Sequence, residues 1–433
     1  MTVLEELAAR SARAPLEAGA GTRALAALHV LDTAGCVIAG SSHPLAAALP
    51  ALAATGGSGA LAVIGLPGGH PLRTAVLVES ALAHVDEYDA LHPAAAVVPA
   101  AVTVPAALAV ADREDLSGRA VADAVIAGYE AAAEAGIRFG GPRLYERSWW
   151  PTALFGALGA AAATASLLAL DEDRTAAALG IAAAGLGGLL SADALGTGHY
   201  LLAGRAAADG VEAAYLARGG ADASRTLLDG PAAAALGAAP GPATAGGHLR
   251  GCSFKAYPCA RPLHAALDAL TALVRRGVPV AAARRIEIGL PGPLLRFVTA
   301  DRNPPGPAEA AASAAFAVGA LLSDAAGDAS FYRGALPPGV PEVVLLPDPG
   351  LDRNLPGRWG ARVTVRPADG GPAHEEVCEE ARPAGEEAVV AKFRRQAGGA
   401  EDRISRCLAL DEEPRARGLR RDLFGRPSGD TEC

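Results

Sequence analysis

Through its first 240 residues the chain repeats one pattern, Ala-rich runs with apolar residues at helical spacing, over 23–39, 73–85, 95–112, 119–135, 153–169, 173–189 and 205–218. Gly and Pro separate the runs, and the one strand-like interruption is a short apolar piece near Leu61 to Leu66. A period of 3.6 residues lines the apolar side chains of each run into a stripe, so the runs must bury against one another. They therefore predict an all-α domain. A parallel nucleotide-binding sheet is excluded, because strands do not alternate with these helices and the chain has neither a Walker loop nor a GxGxxG after a strand.

Gly237 to Gly251 is a Gly/Ala/Pro-rich connector, after which the texture changes. Arg285–Leu290, Glu342–Leu346 and Arg362–Arg366 are strand-like, and Ala368-Asp369-Gly370-Gly371 predicts a hairpin turn leading into Glu375–Glu379. Helical patterns at 262–276 and 307–324 flank these strands, which makes this part α+β. The tail from about 386 to 412 is helical again, and Pro427 to Cys433 is expected to fray.

Charge narrows the partners. A net charge of −9 lacks the clustered basic surface that nucleic acid or anionic lipid requires, so a small-molecule substrate is expected instead. Glu5 and Glu6 stand where a secretory leader needs positive charge, and six scattered cysteines without a CxxC pair suit reduced thiols, so a cytoplasmic protein is expected. Ala153 to Leu170 has the length of a membrane span without a charge. Its Ala and Gly content fits a buried helix better, and no membrane association is expected. Lys255 and Lys392 are the only lysines among 38 basic residues, so each is more worth explaining than an arginine.

Six segments, taken in order, resemble the MmgE/PrpD family of 2-methylcitrate dehydratases and cis-aconitate decarboxylases. They are Leu31-Asp32-Thr33-Ala34-Gly35 with Ala39-Gly40; His84-Val85-Asp86-Glu87-Tyr88-Asp89 followed by His92-Pro93; Gly128-Tyr129-Glu130; Pro151-Thr152 with Phe155-Gly156-Ala157-Leu158-Gly159; Ala203-Gly204-Arg205-Ala206-Ala207; and Ser253-Phe254-Lys255-Ala256-Tyr257-Pro258-Cys259. The resemblance implies a mainly α fold. It implies an all-α domain over 1–260 completed by a C-terminal helix at about 390–425, an α+β lid domain over 261–389, and a homodimer.

The candidate chemistry centres on the acidic loop. Glu87, Asp89 and His92 lie between two apolar helices, where a rigid scaffold can hold polar groups at a cavity. His92 precedes Pro93, a residue that favours a helix start, and the positive end of that helix would keep the imidazole neutral and available as a base. The bland alternative is that Glu87 and Asp89 cap the helix and His92 is a satisfied core histidine. Ala90 and Leu91 stand where the family loop has an aspartate and a threonine, and a few loop residues before His92 are missing. Relative to the decarboxylase branch, Trp150 and Ala260 stand in place of histidines and His199 in place of a lysine. Each change removes or weakens a cation or donor, so a tricarboxylate fits poorly.

Lys255 is expected either as a solvated loop lysine or at the pocket, holding an anionic oxygen, with His199 as a second oxyanion partner. Trp150 is either a core aromatic or an apolar wall; Tyr88, Tyr200, Tyr257, Ala260 and Arg261 complete the expected substrate contacts. Neither metal nor other cofactor is expected, since the nine histidines are dispersed and form no HExxH. Three readings stay open: a cofactor-independent lyase or isomerase that abstracts a proton beside a carbonyl or carboxylate; a cyclase or isomerase of secondary metabolism acting on a bulky, mostly apolar substrate; and an inactive dimeric scaffold.

Overall fold

The computed structural model describes residues 1–190, 196, 198–237, 239–355, 357–379 and 385–424. The fold is mainly α. Seven helices match the sequence pattern: Ala20–Gly40, Leu72–His84, Pro99–Glu114, Gly118–Arg138, Pro151–Leu167, Glu172–Ala184 and Gly198–Arg218. An eighth, Val3–Glu17, escaped the periodicity. It is closed by a capping box in which Thr2 accepts from the Glu5 peptide and Glu5 accepts from the Thr2 peptide.

Pro151–Leu167 is the hub, packing against Pro99–Glu114, Gly118–Arg138, Glu172–Ala184 and Gly198–Arg218. Small residues make the hub possible. A Cβ added to Gly128 would stand 2.7 Å from the Gly159 carbonyl oxygen, and one added to Gly159 would stand 3.0 Å from that of Gly128, so the two backbones touch where they cross. The uncharged stretch from Ala153 is thus a core helix, and it ends at Leu167. By length and composition one described helix, Ala20–Gly40, is able to span a membrane. Some 72% of that stretch is buried, and its Asp32 pairs with Lys392 at 2.7 Å across to helix Glu386–Ala397.

Strands Leu61–Val63 and Leu66–His70 form a small antiparallel hairpin. The second sheet is built from all four predicted strands in the order Glu342–Pro347, Ala283–Leu290, Gly360–Pro367, His374–Glu379, parallel at the first pairing and antiparallel at the others. Helix His264–Arg275 packs on it, and Ile286, Ile288, Leu290, Val363 and Val365 join Leu267 and Leu270 in a hydrophobic cluster separate from that of the long helices.

Two expected helices are broken. Residues 307–324 form Pro307–Ala311 and Ala314–Leu322, the second restarted by the Ser313 side chain, which accepts from Phe316 N. The single helix expected over about 390–425 is instead Glu386–Ala397, Glu401–Leu408 and Leu419–Phe424. Gly398 and Gly399, at φ 69° and 75°, turn the chain left-handed after the first piece. Pro427 to Cys433 lie outside the described residues.

Candidate active site

A pocket opens where the long helices meet the sheet-bearing segment. The helices and their loops contribute His84, Glu87, Leu91, Trp150 and His199; the 253–262 segment contributes Lys255, Ala260 and Arg261; Phe297, Ala312 and Trp359 close the far wall. Its volume is about 110 Å³, enough for several waters and hence for a small organic molecule.

Helix Leu72–His84 ends at His84, so the imidazole sits at the negative end of a helix dipole. Its Nδ1 faces the fully buried Asp89 carboxylate at 2.9 and 3.1 Å, which leaves Nε2 toward Glu87 Oε1 at 3.7 Å with no hydrogen-bond partner. Glu87 adopts φ 52°, a strained conformation for a residue with a side chain. Lys255 holds it there, donating to the Glu87 carbonyl at 2.7 Å and to Oε2 at 2.9 Å. Trp150 stacks on His84 with ring centres 5.2 Å apart and lies 4.1 Å from His199, and the two imidazoles are 5.8 Å apart. His199 Nδ1 is also buried without a partner.

These environments separate the two histidines. Burial opposes a charge on His84, but Asp89 and Glu87 more than offset it and raise its pKa. Burial, reinforced by the charge of His84, lowers His199 to about 4. Burial also works against the Glu87 carboxylate, yet Lys255 and His84 hold it down to about 2. The pocket wall therefore sets a histidine whose charged form its carboxylates favour beside one whose neutral form burial favours.

His92 is elsewhere. The helix after Pro93 does not start there but at Pro99, because His92 N donates to the Val97 carbonyl and closes a turn over Pro93–Ala96. His92 Nδ1 accepts from the Ala95 peptide at 3.2 Å, and its ring lies edge-on to His248, 5.4 Å away. The helix-end argument for a neutral base at this residue thus fails, and His92 is not among the pocket's lining residues.

The other expected contacts divide. Glu87, His199, Lys255, Trp150, Ala260 and Arg261 line the pocket, while Asp89 stands behind His84. Arg261 donates to the Ser253 hydroxyl and carbonyl oxygens. Tyr200 is outside the lining but edge-on to both His84 and His199 at 5.3 Å. Tyr88 is buried in the core, where its hydroxyl donates to the Ala256 carbonyl and the Lys392 ammonium lies 3.9 Å from its ring centre. Tyr257 turns away to donate to Asp268. Lys255 is 3% exposed, which overturns its reading as a solvated lysine. Sequence reasoning passed over His84, which opened the acidic motif but was given no role; its signal was Asp89, five residues on.

Among the described residues, His84, Glu87 and His199 are the one grouping whose ligand atoms, all within 4.8 Å of one another, are close enough to share a metal ion. Lys255 already sits on the same carboxylate, and its charge opposes a dication at that spot.

The model for the MmgE/PrpD N-terminal domain matches residues 6–242, more than half of the chain. The chain belongs to the MmgE/PrpD family. The family includes dehydratases and decarboxylases, which makes a lyase-like enzyme the coarse expectation. A cis-aconitate decarboxylase-like protein, oryM of Aspergillus oryzae, is 30% identical over 199 residues, 44% of this chain and 41% of that relative. The chain thus covers less than half of the relative's length. The span of the family model contains the acidic loop, Trp150 and His199 but not Lys255, Ala260 or Arg261.

Proposed function

We propose that this MmgE/PrpD chain is a cofactor-independent lyase that breaks a C–H bond next to a carboxylate and expels a hydroxyl from the adjacent carbon as water. One observation carries the reading: two imidazoles, each with a partnerless nitrogen, lie 5.8 Å apart at one pocket, and their surroundings push them opposite ways, raising the pKa of His84 and lowering that of His199. His199 takes the proton from carbon, and the electron pair left behind forms the C=C bond. The C–O bond breaks as His84 gives its proton to the leaving oxygen, so substrate becomes alkene plus water and solvent resets both rings. Asp89 keeps the His84 tautomer, and Lys255 and Arg261 hold the carboxylate as it takes on enediolate charge. Simple decarboxylation needs a proton donor after CO₂ leaves but no base, and a donor–acceptor pair favours elimination over it.

Isomerisation, in which the pair returns the proton to another carbon, is the second reading, and the apolar walls at Leu91, Trp150 and Ala260 favour an apolar substrate of secondary metabolism for it or for a cyclisation. The scaffold reading is disfavoured by a pocket that is open with Glu87, His199 and Lys255 in its wall. The same proposal makes the 261–389 segment a lid, since Phe297, Ala312 and Trp359 face the helices across the pocket, and it includes a two-fold dimer through the long helices. Light scattering at micromolar concentration should give twice the chain mass; a monomer removes the dimer from the proposal.

The chemistry is tested by incubating the protein with a panel of 3-hydroxy acids in D₂O. Deuterium entering the carbon next to the carboxylate, and its loss in His199→Ala, is the expected result. No exchange on any member of the panel, or full exchange by His199→Ala, sinks the reading.

A further inference from the structure

We propose that the first turn of the hub helix Pro151–Leu167 is the anion seat of the pocket, and that the Thr152 hydroxyl and peptide N–H receive a substrate carboxylate there. This deepens the lyase reading and rests on the same pocket being the reaction site.

The turn is built with donors to spare. Trp150 is the N-cap and supplies no side-chain cap, Pro151 has no N–H, and the first intrahelical bond runs from Leu154 N to the Trp150 carbonyl. The Thr152 and Ala153 peptides therefore precede the ladder, and neither finds an acceptor among the described residues. Both residues are buried, where a peptide N–H is nearly always paired. Thr152 Oγ1 accepts from Val98 N at 3.1 Å, which holds the rotamer and leaves the hydroxyl its own proton to give. The positive end of this 17-residue helix adds the equivalent of about half a charge.

The same wall carries uncommitted side chains. Thr152 lines the pocket together with His84 and His199, whose Nε2 and Nδ1 are buried without a partner, and Trp150 lies against both of those rings. Other donors face the pocket, among them Tyr145, Lys255, Arg261 and the Trp150 and Trp359 indoles. Lys255 already gives two N–H groups to Glu87, and Tyr145 gives its hydroxyl to the Ala96 carbonyl. Thr152 instead brings a hydroxyl and a peptide N–H from one residue. A carboxylate accepts about four hydrogen bonds, so Lys255 and Arg261 on one oxygen leave the other for Thr152. As the C–H bond breaks, charge grows on both oxygens and the seat holds them more tightly.

Isothermal titration with crotonate, a carboxylate that needs no proton transfer to bind, tests the seat. Thr152→Val removes the hydroxyl at nearly constant volume and should weaken crotonate binding by about ten- to a hundredfold, while Thr152→Ser keeps the donor and should stay within about threefold of wild type. In wild-type protein carrying isotope-labelled threonine, the Thr152 N–H resonance, assigned by its absence from Thr152→Ser, should move on adding crotonate. Wild-type affinity in Thr152→Val, a loss in Thr152→Ser as large as in Thr152→Val, a Thr152 resonance that stays in place, or no crotonate binding overturns the proposal. The resonance and the serine variant decide even if Thr152→Val does not fold. Crotonate binding that depends on Thr152, without deuterium exchange on any 3-hydroxy acid, leaves the seat standing and removes the lyase reading. Deuterium exchange that runs at the wild-type rate in Thr152→Val does the reverse.

Discussion

The loop from Asp86 to Val97 feeds two buried histidine–carboxylate clusters that use the same residue types and differ in what faces them. At the first, His84 and His199 each keep a ring nitrogen without a partner, turned to a pocket. At the second, His92 accepts from a peptide N–H. Its neighbour His248 meets Glu134 at 2.8 Å and gives its own peptide N–H to Glu130, while Thr244 donates to Glu134. Polar atoms committed to backbone and to one another hold a shape; those left uncommitted and dry can act on a ligand. Residue type and burial do not distinguish the clusters, but hydrogen-bond satisfaction does.

The sharpest way to break this comparison is to remove one histidine from each cluster. His84→Ala should lower turnover by about 10²–10⁴, the range of a positioned acid or base, with the fold intact. His92→Ala should leave turnover within a few-fold and instead lower stability by about 1–3 kcal/mol, because buried donors lose their acceptor. Steady-state kinetics beside denaturant melts read both, and equal losses of turnover erase the distinction.

The two lysines extend it. Lys392→Met strips the counter-charge from the fully buried Asp32 and should cost about 3–5 kcal/mol in a denaturant melt. Lys255→Met releases a carboxylate at the pocket edge, so turnover should fall by about 10² with a smaller change in stability. A Lys392→Met protein as stable as wild type would show that the core pair is not what holds helix Glu386–Ala397 against Ala20–Gly40.

Next in size is the pH profile of the first cluster. His199 works unprotonated, so turnover should be lost as pH falls through about 4; His84 works protonated, so it should be lost as pH rises through a pKa above 6.5. Stability follows Glu87: its lowered pKa makes the Lys255 pair fully stabilising above the ordinary 4.5, and that contribution disappears as pH falls toward 2. A profile without an alkaline limb would remove His84 as the proton donor. The smallest effect expected is that of Thr2→Ala, far from either cluster, which should cost about 1 kcal/mol through its helix cap and leave turnover unchanged. If turnover drops with it, loss of stability alone would explain part of every other variant.

Much of the fold was legible because periodicity is local. The helix hub, the four strands and the hairpin turn at 368–371 follow from patterns within each segment. The capping box at Thr2 and Glu5 is equally local. The break at Gly398–Gly399 went unread because helical neighbours on both sides masked two glycines. The site was half legible. Glu87, Lys255, His199 and Trp150 were named from their motifs and do share a pocket. The helix-end argument for His92 failed because a His-Pro pair announces a helix start equally well where the chain makes a turn first. His84 was passed over because what marks it, Asp89 behind and Trp150 and His199 in front, comes together only when three separate stretches of chain meet.

With both lysines only 3% exposed, the folded chain offers an amine-reactive reagent little but its α-amino group at the exposed Met1. Unfolding uncovers two more amines at once, one from the pocket and one from the core. Mass spectrometry of the intact chain after a brief acylation pulse would then show a ladder of zero to three adducts. A population carrying a second adduct on Lys255 but none on Lys392 would expose a pocket that opens by itself while the helices stay together.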